Sequence, residues 1–241
     1  MTLGSCFTLL GYIVGGTVLL LEAQRRRMAT EGTGWVVLAG LGGGVIGAKL
    51  TLWVLLNWNA LVSHPALLLD PSSGGRALIG GIIGGWIGVE LAKWRLGIKR
   101  STGDLFALAL PAGEAVGRIG CYLNGCCYGR ACTLPWAIYQ HGAWRHPAQL
   151  YSSAVAAIVF AVLLAMRNRL WREGDLFRLY LVLMGVTRFG LEFFRERNLM
   201  IAGLSLVQWT CLEIVVLFSV ALFISERRSR RTSGLEERSY A

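Results

Sequence analysis

Long apolar runs broken by short charged segments dominate the chain from end to end. The runs extend from Leu3 to Leu21, Trp35 to Leu56, Ala77 to Trp94, Leu105 to Ile119, Ala148 to Met166, Leu176 to Phe194 and Leu204 to Ile224. A helix crosses a hydrocarbon core of roughly 30 Å with about 20 apolar residues, so each run reads as a membrane span. The pattern predicts an all-α integral membrane protein with about seven transmembrane helices. The fourth run is the shortest, and if it only dips into the bilayer the count is six. Residues 1–226 then form one polytopic membrane domain with a small outer loop region near 120–147, and residues 227–241 form a basic cytoplasmic tail.

Composition supports this reading, because 54% hydrophobic and 16% charged residues do not describe a soluble domain. The charges also orient the chain. Basic residues after the first run (Arg25, Arg26, Arg27), after the third (Lys93, Arg95, Lys99, Arg100), around the fifth loop (Arg167, Arg169, Arg172, Arg178) and in the tail (Arg227, Arg228, Arg230, Arg231, Arg238) all fall on one side of the membrane. The positive-inside rule makes that side cytoplasmic, with the N-terminus outside and the C-terminus inside. With no basic residue before the first run, a cleaved signal peptide is not expected and the run is expected to stay as a span. A net charge of +10 spread over juxtamembrane segments fits anionic lipid headgroups and argues against a nucleic-acid partner.

Glycines at intervals of four mark the second and third runs, among them Gly40, Gly44, Gly80, Gly81, Gly84, Gly85 and Gly88. Such stripes let helices pack backbone to backbone; backbone this close also suits the lining of a lipid headgroup pocket, which makes Gly80 and Gly81 candidate substrate contacts.

Eight basic residues lie outside the cytoplasmic set: Lys49, Arg76, Arg118, Arg130, Arg145, Arg188, Arg195 and Arg197. Arg118 and Arg188 fall in or at the edge of apolar runs, where an unpaired guanidinium costs about 3 kcal/mol by insertion scales. Glu114 stands four residues before Arg118 and Glu192 four after Arg188, so two internal ion pairs are one expectation. The other is an external anion: two guanidinium forks from different helices suit a phospholipid phosphate.

The segment from Gly117 to Gly129 concentrates unusual chemistry at the end of the fourth run, with Arg118, Asn124, four glycines and three cysteines. Gly117-Arg118-Ile119-Gly120, Asn124-Gly125, Tyr128-Gly129-Arg130, the run Arg145-His146-Pro147-Ala148-Gln149-Leu150-Tyr151, and Arg188 to Glu196 follow one another in an order that resembles the signatures of the bacterial prolipoprotein diacylglyceryl transferase family. Gly80-Gly81-Ile82-Ile83-Gly84-Gly85 is similar to that family's Gly-Gly-rich third span.

The resemblance implies transfer of a diacylglyceryl group from phosphatidylglycerol to the lipobox cysteine of an exported precursor protein, or another thiol acceptor, at a site facing the outer leaflet of the bacterial inner membrane. It implies catalytic roles for Arg118 and Arg188; Glu192 beside them is a candidate base, and Cys121 and Cys126 are candidate catalytic thiols at positions where this chain departs from the family. Substrate contacts would come from Asn124, Gly129, Glu114, Arg195, His146, Gln149, Tyr151, Gly80 and Gly81. No cofactor is expected. The chain departs from the signature at Ile79 (histidine in the family), Cys121 (asparagine), Cys126 (glutamate), Ser152 (glutamate) and Met184 (tyrosine). The anion-binding half is therefore retained and the acid–base half replaced, which leaves Glu114, Glu192 and His146 as candidate bases. His146 also reads as part of a helix start that docks the outer loop.

Cys6 and Cys211 are expected to pack inertly in mid-span. Cys121, Cys126, Cys127 and Cys132 allow disulfides such as Cys121 with Cys126 or Cys127 with Cys132, or a reactive thiol beside Arg118. Their spacing lacks the C-x2-C knuckle of structural zinc sites, so no metal is expected. Two other functions fit the same residues: a membrane thiol–disulfide oxidoreductase and a non-catalytic lipid-binding paralogue. The absence of a C-x-x-C pair weighs against the first.

Overall fold

The structure is a computed structural model that describes residues 2–28, 31–51, 58–63, 78–169, 172–195 and 200–239. Arg76 and Arg197 lie outside them. Helices dominate: α1 (Leu3–Arg25), α2 (Glu31–Thr51), a short α3 (Trp58–Ser63), α4 (Leu78–Leu96), α5 (Gly103–Leu123), α6 (Ala148–Met166), α7 (Asp175–Leu191) and α8 (Leu206–Ser239). Among the described residues four stretches, Leu3–Arg25, Gly32–Thr51, Ala148–Met166 and Leu206–Arg227, are long and apolar enough to cross a membrane. Many of their large side chains, including Leu20, Ile158, Val216 and Leu217, are exposed, as a lipid-facing surface requires.

The chain divides into two compact units, residues 1–22 with 101–241, and residues 23–100. In the smaller unit α2 and α4 cross on their glycine stripes: Gly85 faces the Gly40 carbonyl and Gly81 the Gly44 carbonyl, while Gly80 packs on Gly47 and Thr51. Close packing thus accounts for the four-residue spacing. Ile79 falls in the first turn of α4.

In the larger unit the core is Ala107 and Leu108 of α5, Val159 and Leu163 of α6, and Leu176, Tyr180 and Leu181 of α7, with Met184 packed against it. A glycine stripe recurs between α1 and α5, where a Cβ on Gly11 would lie 2.8 Å from the Gly113 carbonyl. At the end of the bundle that holds the α7 N-terminus, Asp104 accepts hydrogen bonds from the amides of Gly174 (3.0 Å) and Phe177 (3.1 Å). The bond from Phe177 satisfies a first-turn donor that has no partner within the helix, and the bond from Gly174 fixes the residue that precedes it. Glu22 of α1 is buried and ion-paired to Arg167 at 3.6 Å.

Two antiparallel hairpins, which the apolar pattern does not announce, interrupt the helices: β1 (Ile138–Gln140) with β2 (Ala143–Arg145), and β3 (Met200–Ile201) with β4 (Leu204–Ser205). Their two-residue turns, His141-Gly142 and Ala202-Gly203, have positive φ at both positions (50° and 78°, 49° and 78°). That geometry matches the twist of a tight hairpin. The last apolar run therefore begins with a strand at Leu204–Ser205, and α8 continues through the basic tail to Ser239. Cys211 is buried, whereas Cys6 stands exposed near the start of α1 rather than packed in mid-span.

Candidate active site

Three arginines converge near the C-terminal ends of α5 and α7. On α5, Arg118 donates from Nε (2.9 Å) and Nη2 (2.8 Å) to one oxygen of Glu114, one helical turn away. On α7, Nη2 of Arg188 lies 3.2 Å from Oε2 of Glu192, in the 3₁₀ turn Glu192–Phe194 that ends the helix. Both ion pairs suggested by the four-residue spacings are formed. The charges of Arg118 and Arg195 act on Arg188, which places the three guanidiniums in one electrostatic neighbourhood.

The two pairs differ in how fully they are satisfied. Nε and Nη1 of Arg188 are buried and have no hydrogen-bond partner among the described residues. Oε2 of Glu192, though 3.2 Å from Arg188 Nη2, is also without a hydrogen bond there. A buried donor without a partner costs about 1–3 kcal/mol, so a site holding two such donors on one cation is suited to an anion with several acceptor oxygens. Glu192 is held from its other side, where Ser205 Oγ donates to Oε1 at 3.5 Å. Buried Gln208 fixes Ser205 in turn, accepting from its amide at 2.9 Å and donating to the Phe189 carbonyl at 3.4 Å. The apolar reading passed over Ser205 and Gln208; two polar residues at the head of a membrane run were the available signal.

The outer loop is built around Gly129. Its amide donates to the His146 carbonyl (3.1 Å), the Arg130 amide donates to the Phe194 carbonyl (2.9 Å), and Gly129 bridges to Arg195. A Cβ on Gly129 would lie 2.6 Å from the His146 carbonyl and 2.7 Å from that of Phe194. Only glycine fits where these backbones cross. Arg195 donates to the Cys127 carbonyl at 3.2 Å and so ties the end of the 3₁₀ turn to the cysteine loop. Gln149, buried in the first turn of α6, donates to the Cys126 carbonyl (2.8 Å) and to Gln140 (3.2 Å).

His146 is buried against Phe194 (5.2 Å between ring centroids) and Tyr151 (6.1 Å). Burial, and then the charge of Arg130, lowers its pKa below the ordinary histidine value. The imidazole is therefore neutral near pH 7, and its packing fits the helix-start role. Tyr151 accepts from Trp136 Nε1 at 2.7 Å. Asn124 caps α5 and accepts from Thr2 Oγ1 at 2.9 Å, while Ser152, at the position of a family glutamate, turns back onto the Ala148 carbonyl.

All six cysteines are free thiols, so neither the Cys121–Cys126 nor the Cys127–Cys132 disulfide is formed. Instead the sulfurs of Cys121, Cys126 and Cys127 lie within 4.8 Å of one another. Backbone geometry gathers them: the Cys126 amide donates to the Cys121 carbonyl (3.1 Å), and Gly125 and Cys127 adopt positive φ (66° and 60°). The Cys127 thiol is pulled down to about 5, chiefly by a hydrogen bond from Cys121, with help from the charges of Arg195 and Arg118. Burial pushes Cys126 up. The loop thus pairs a thiolate with a neutral thiol.

Arg118, Arg188, Arg195, Glu114, Glu192, Asn124, Gly129, His146, Gln149, Tyr151, Cys121 and Cys126 all belong to the larger unit, and Gly80 and Gly81 to the smaller.

Residues 5–224 match the profile of the prolipoprotein diacylglyceryl transferase family. Similar curated proteins carry the name phosphatidylglycerol–prolipoprotein diacylglyceryl transferase. One from Geobacter sulfurreducens is 33% identical over 195 residues, covering 78% of this chain and 75% of its own. One from Campylobacter lari is 34% identical over 209 residues (79% and 73%), and one from Clostridioides difficile is 30% identical over 199 (82% and 80%).

Proposed function

The chain belongs to the prolipoprotein diacylglyceryl transferase family, and on that footing we propose that its three-arginine cluster holds the headgroup of phosphatidylglycerol during transfer. The reaction is the family's: a diacylglyceryl group passes from phosphatidylglycerol to a prolipoprotein. The acceptor is the lipobox cysteine of an exported precursor. Its thiolate attacks the glyceryl carbon that bears the phosphate, a carbon–sulfur bond forms, the carbon–oxygen bond breaks, and glycerol phosphate leaves with the electron pair.

Negative charge grows on the departing phosphate, and cations already fixed around it lower the barrier most. The observation that carries this reading is the pair of buried donors on Arg188, Nε and Nη1, without partners among the described residues. They point away from different sides of the guanidinium, so each can donate to a separate acceptor oxygen of a phosphate. Arg118, whose Nη1 is not used in the bonds to Glu114, and Arg195 add positive charge to the same neighbourhood. Glu192, fixed by Arg188 and Ser205, takes the proton of the acceptor thiol. Cys121 and Cys126 stand at positions of a family asparagine and glutamate, and their thiols line the acceptor side of the site; serine at either lowers transfer. Asn124, Gln149, His146 and Tyr151 shape the loop that receives the headgroup, while Gly80 and Gly81 let α4 approach α2 closely.

In the membrane the chain forms seven spans with the N-terminus outside, the C-terminus inside and the site toward the outer leaflet of the inner membrane, as the basic loops favour. Complementation of a bacterial strain depleted of its own diacylglyceryl transferase tests the acceptor assignment. Growth with lipidated precursors is expected; accumulation of unlipidated precursor at normal expression would overturn it.

A further inference from the structure

We propose that Cys121, Cys126 and Cys127 form a binding site for a thiophilic d10 cation such as Zn²⁺, Cd²⁺ or Cu⁺. Their three sulfurs lie within 4.8 Å of one another, and among the described residues they are the group arranged to share one ion. Thiolate sulfurs bind zinc at about 2.3 Å, which sets sulfurs on a common ion roughly 3.8 Å apart. Modest side-chain rotations therefore bring all three into range.

The backbone is already fixed for this. Cys121 ends on α5, the Cys126 amide is bonded to the Cys121 carbonyl, the Cys126 carbonyl is held by Gln149, and the Cys127 carbonyl by Arg195. Cys127 keeps a left-handed backbone at φ 60°, a conformation a side chain adopts only when its surroundings hold it. Three thiolates around a divalent ion carry a net negative charge, and Arg195 beside Cys127 and Arg118 one turn before Cys121 supply the counter-charge. Cys126 and Cys127 are exposed, which leaves an entry path and a fourth position for water. Soft thiolate donors select this class of ion over Mg²⁺ or Ca²⁺. The missing C-x2-C knuckle does not matter here, because a helix end and two left-handed residues bring the sulfurs together instead. Metal loading would staple the loop between α5 and Gly129, and would withdraw Cys121 and Cys126 from the transfer site.

The test is a Cd²⁺ titration of the full-length reduced protein in detergent, read by the ultraviolet thiolate-to-metal charge-transfer band and by the thermal transition. A band saturating at a single ion per chain and an upward shift of the transition are expected. Cys127→Ser, a change at an exposed position, should lose both, whereas Cys132→Ser should keep both. No band in the wild-type protein, or an undiminished band in folded Cys127→Ser, overturns the site. The readout needs neither lipid nor precursor, so it is independent of the outcome of the transfer assays.

Discussion

Among the described residues, Arg188 has the most buried side-chain donors without a hydrogen-bond partner. Its two buried donors, without partners among the described residues, set it apart from Arg118, whose Nε and Nη2 both donate to Glu114. Lysine at 188 keeps the charge and removes the fork, so Arg188→Lys should lower kcat/KM for phosphatidylglycerol by about a hundredfold, as loss of one preorganised donor does elsewhere. Steady-state transfer from labelled lipid measures this. Glu192→Gln should lower kcat more than it changes KM, since it removes proton acceptance and leaves Arg188 in place; an equal effect on both would make Glu192 a binding residue. His146 supplies the pH test. Burial depresses its folded pKa, so as pH falls below the unfolded value of about 6.5 the unfolded chain binds a proton that the folded chain resists. Stability should therefore fall as pH drops from 7 toward the folded pKa, and His146→Phe should flatten that slope in thermal scans.

At the scale of elements, the contact that sets the site is the crossing of the Gly129 loop with the end of α7. Gly129→Ala places a Cβ within 2.7 Å of two carbonyls and should cost about 1–3 kcal/mol, whereas Gly190→Ala, with nothing within 4 Å, should be nearly neutral. Thermal unfolding in detergent separates the two. The same contrast shows what could be read from the chain beforehand. Helices α1 and α4 to α8 lie over apolar runs because sustained hydrophobicity survives any tertiary context. Four-residue spacing likewise revealed Glu114–Arg118 and Glu192–Arg188, since it is the spacing of helix neighbours. The hairpins left no such trace. Their strands are two or three residues long, and Ala202 takes a left-handed conformation without being a turn-forming residue. Nor did spacing reveal the cysteine cluster, which depends on a backbone turn after α5, or the Ser205–Gln208 support of Glu192, which depends on α8 packing against the end of α7.

For the molecule as a whole, the membrane explains what a soluble fold would not. A chain with mean hydropathy of +0.53 leaves many large apolar side chains exposed, yet buries Glu22, Asp104, Asp175 and Glu192 with partners. Among the described residues, Arg118, Arg188 and Arg195 share one electrostatic neighbourhood. On the proposed function, this place binds the lipid phosphate and stabilises it as it leaves. The most direct test is release of labelled glycerol phosphate from phosphatidylglycerol by the purified protein in vesicles with a lipobox-bearing precursor, comparing wild type with Arg188→Ala. Precursor-dependent release by the wild type, slowed at least about a hundredfold in a variant that keeps its thermal transition, is the result predicted. Equal release by the two proteins would contradict it.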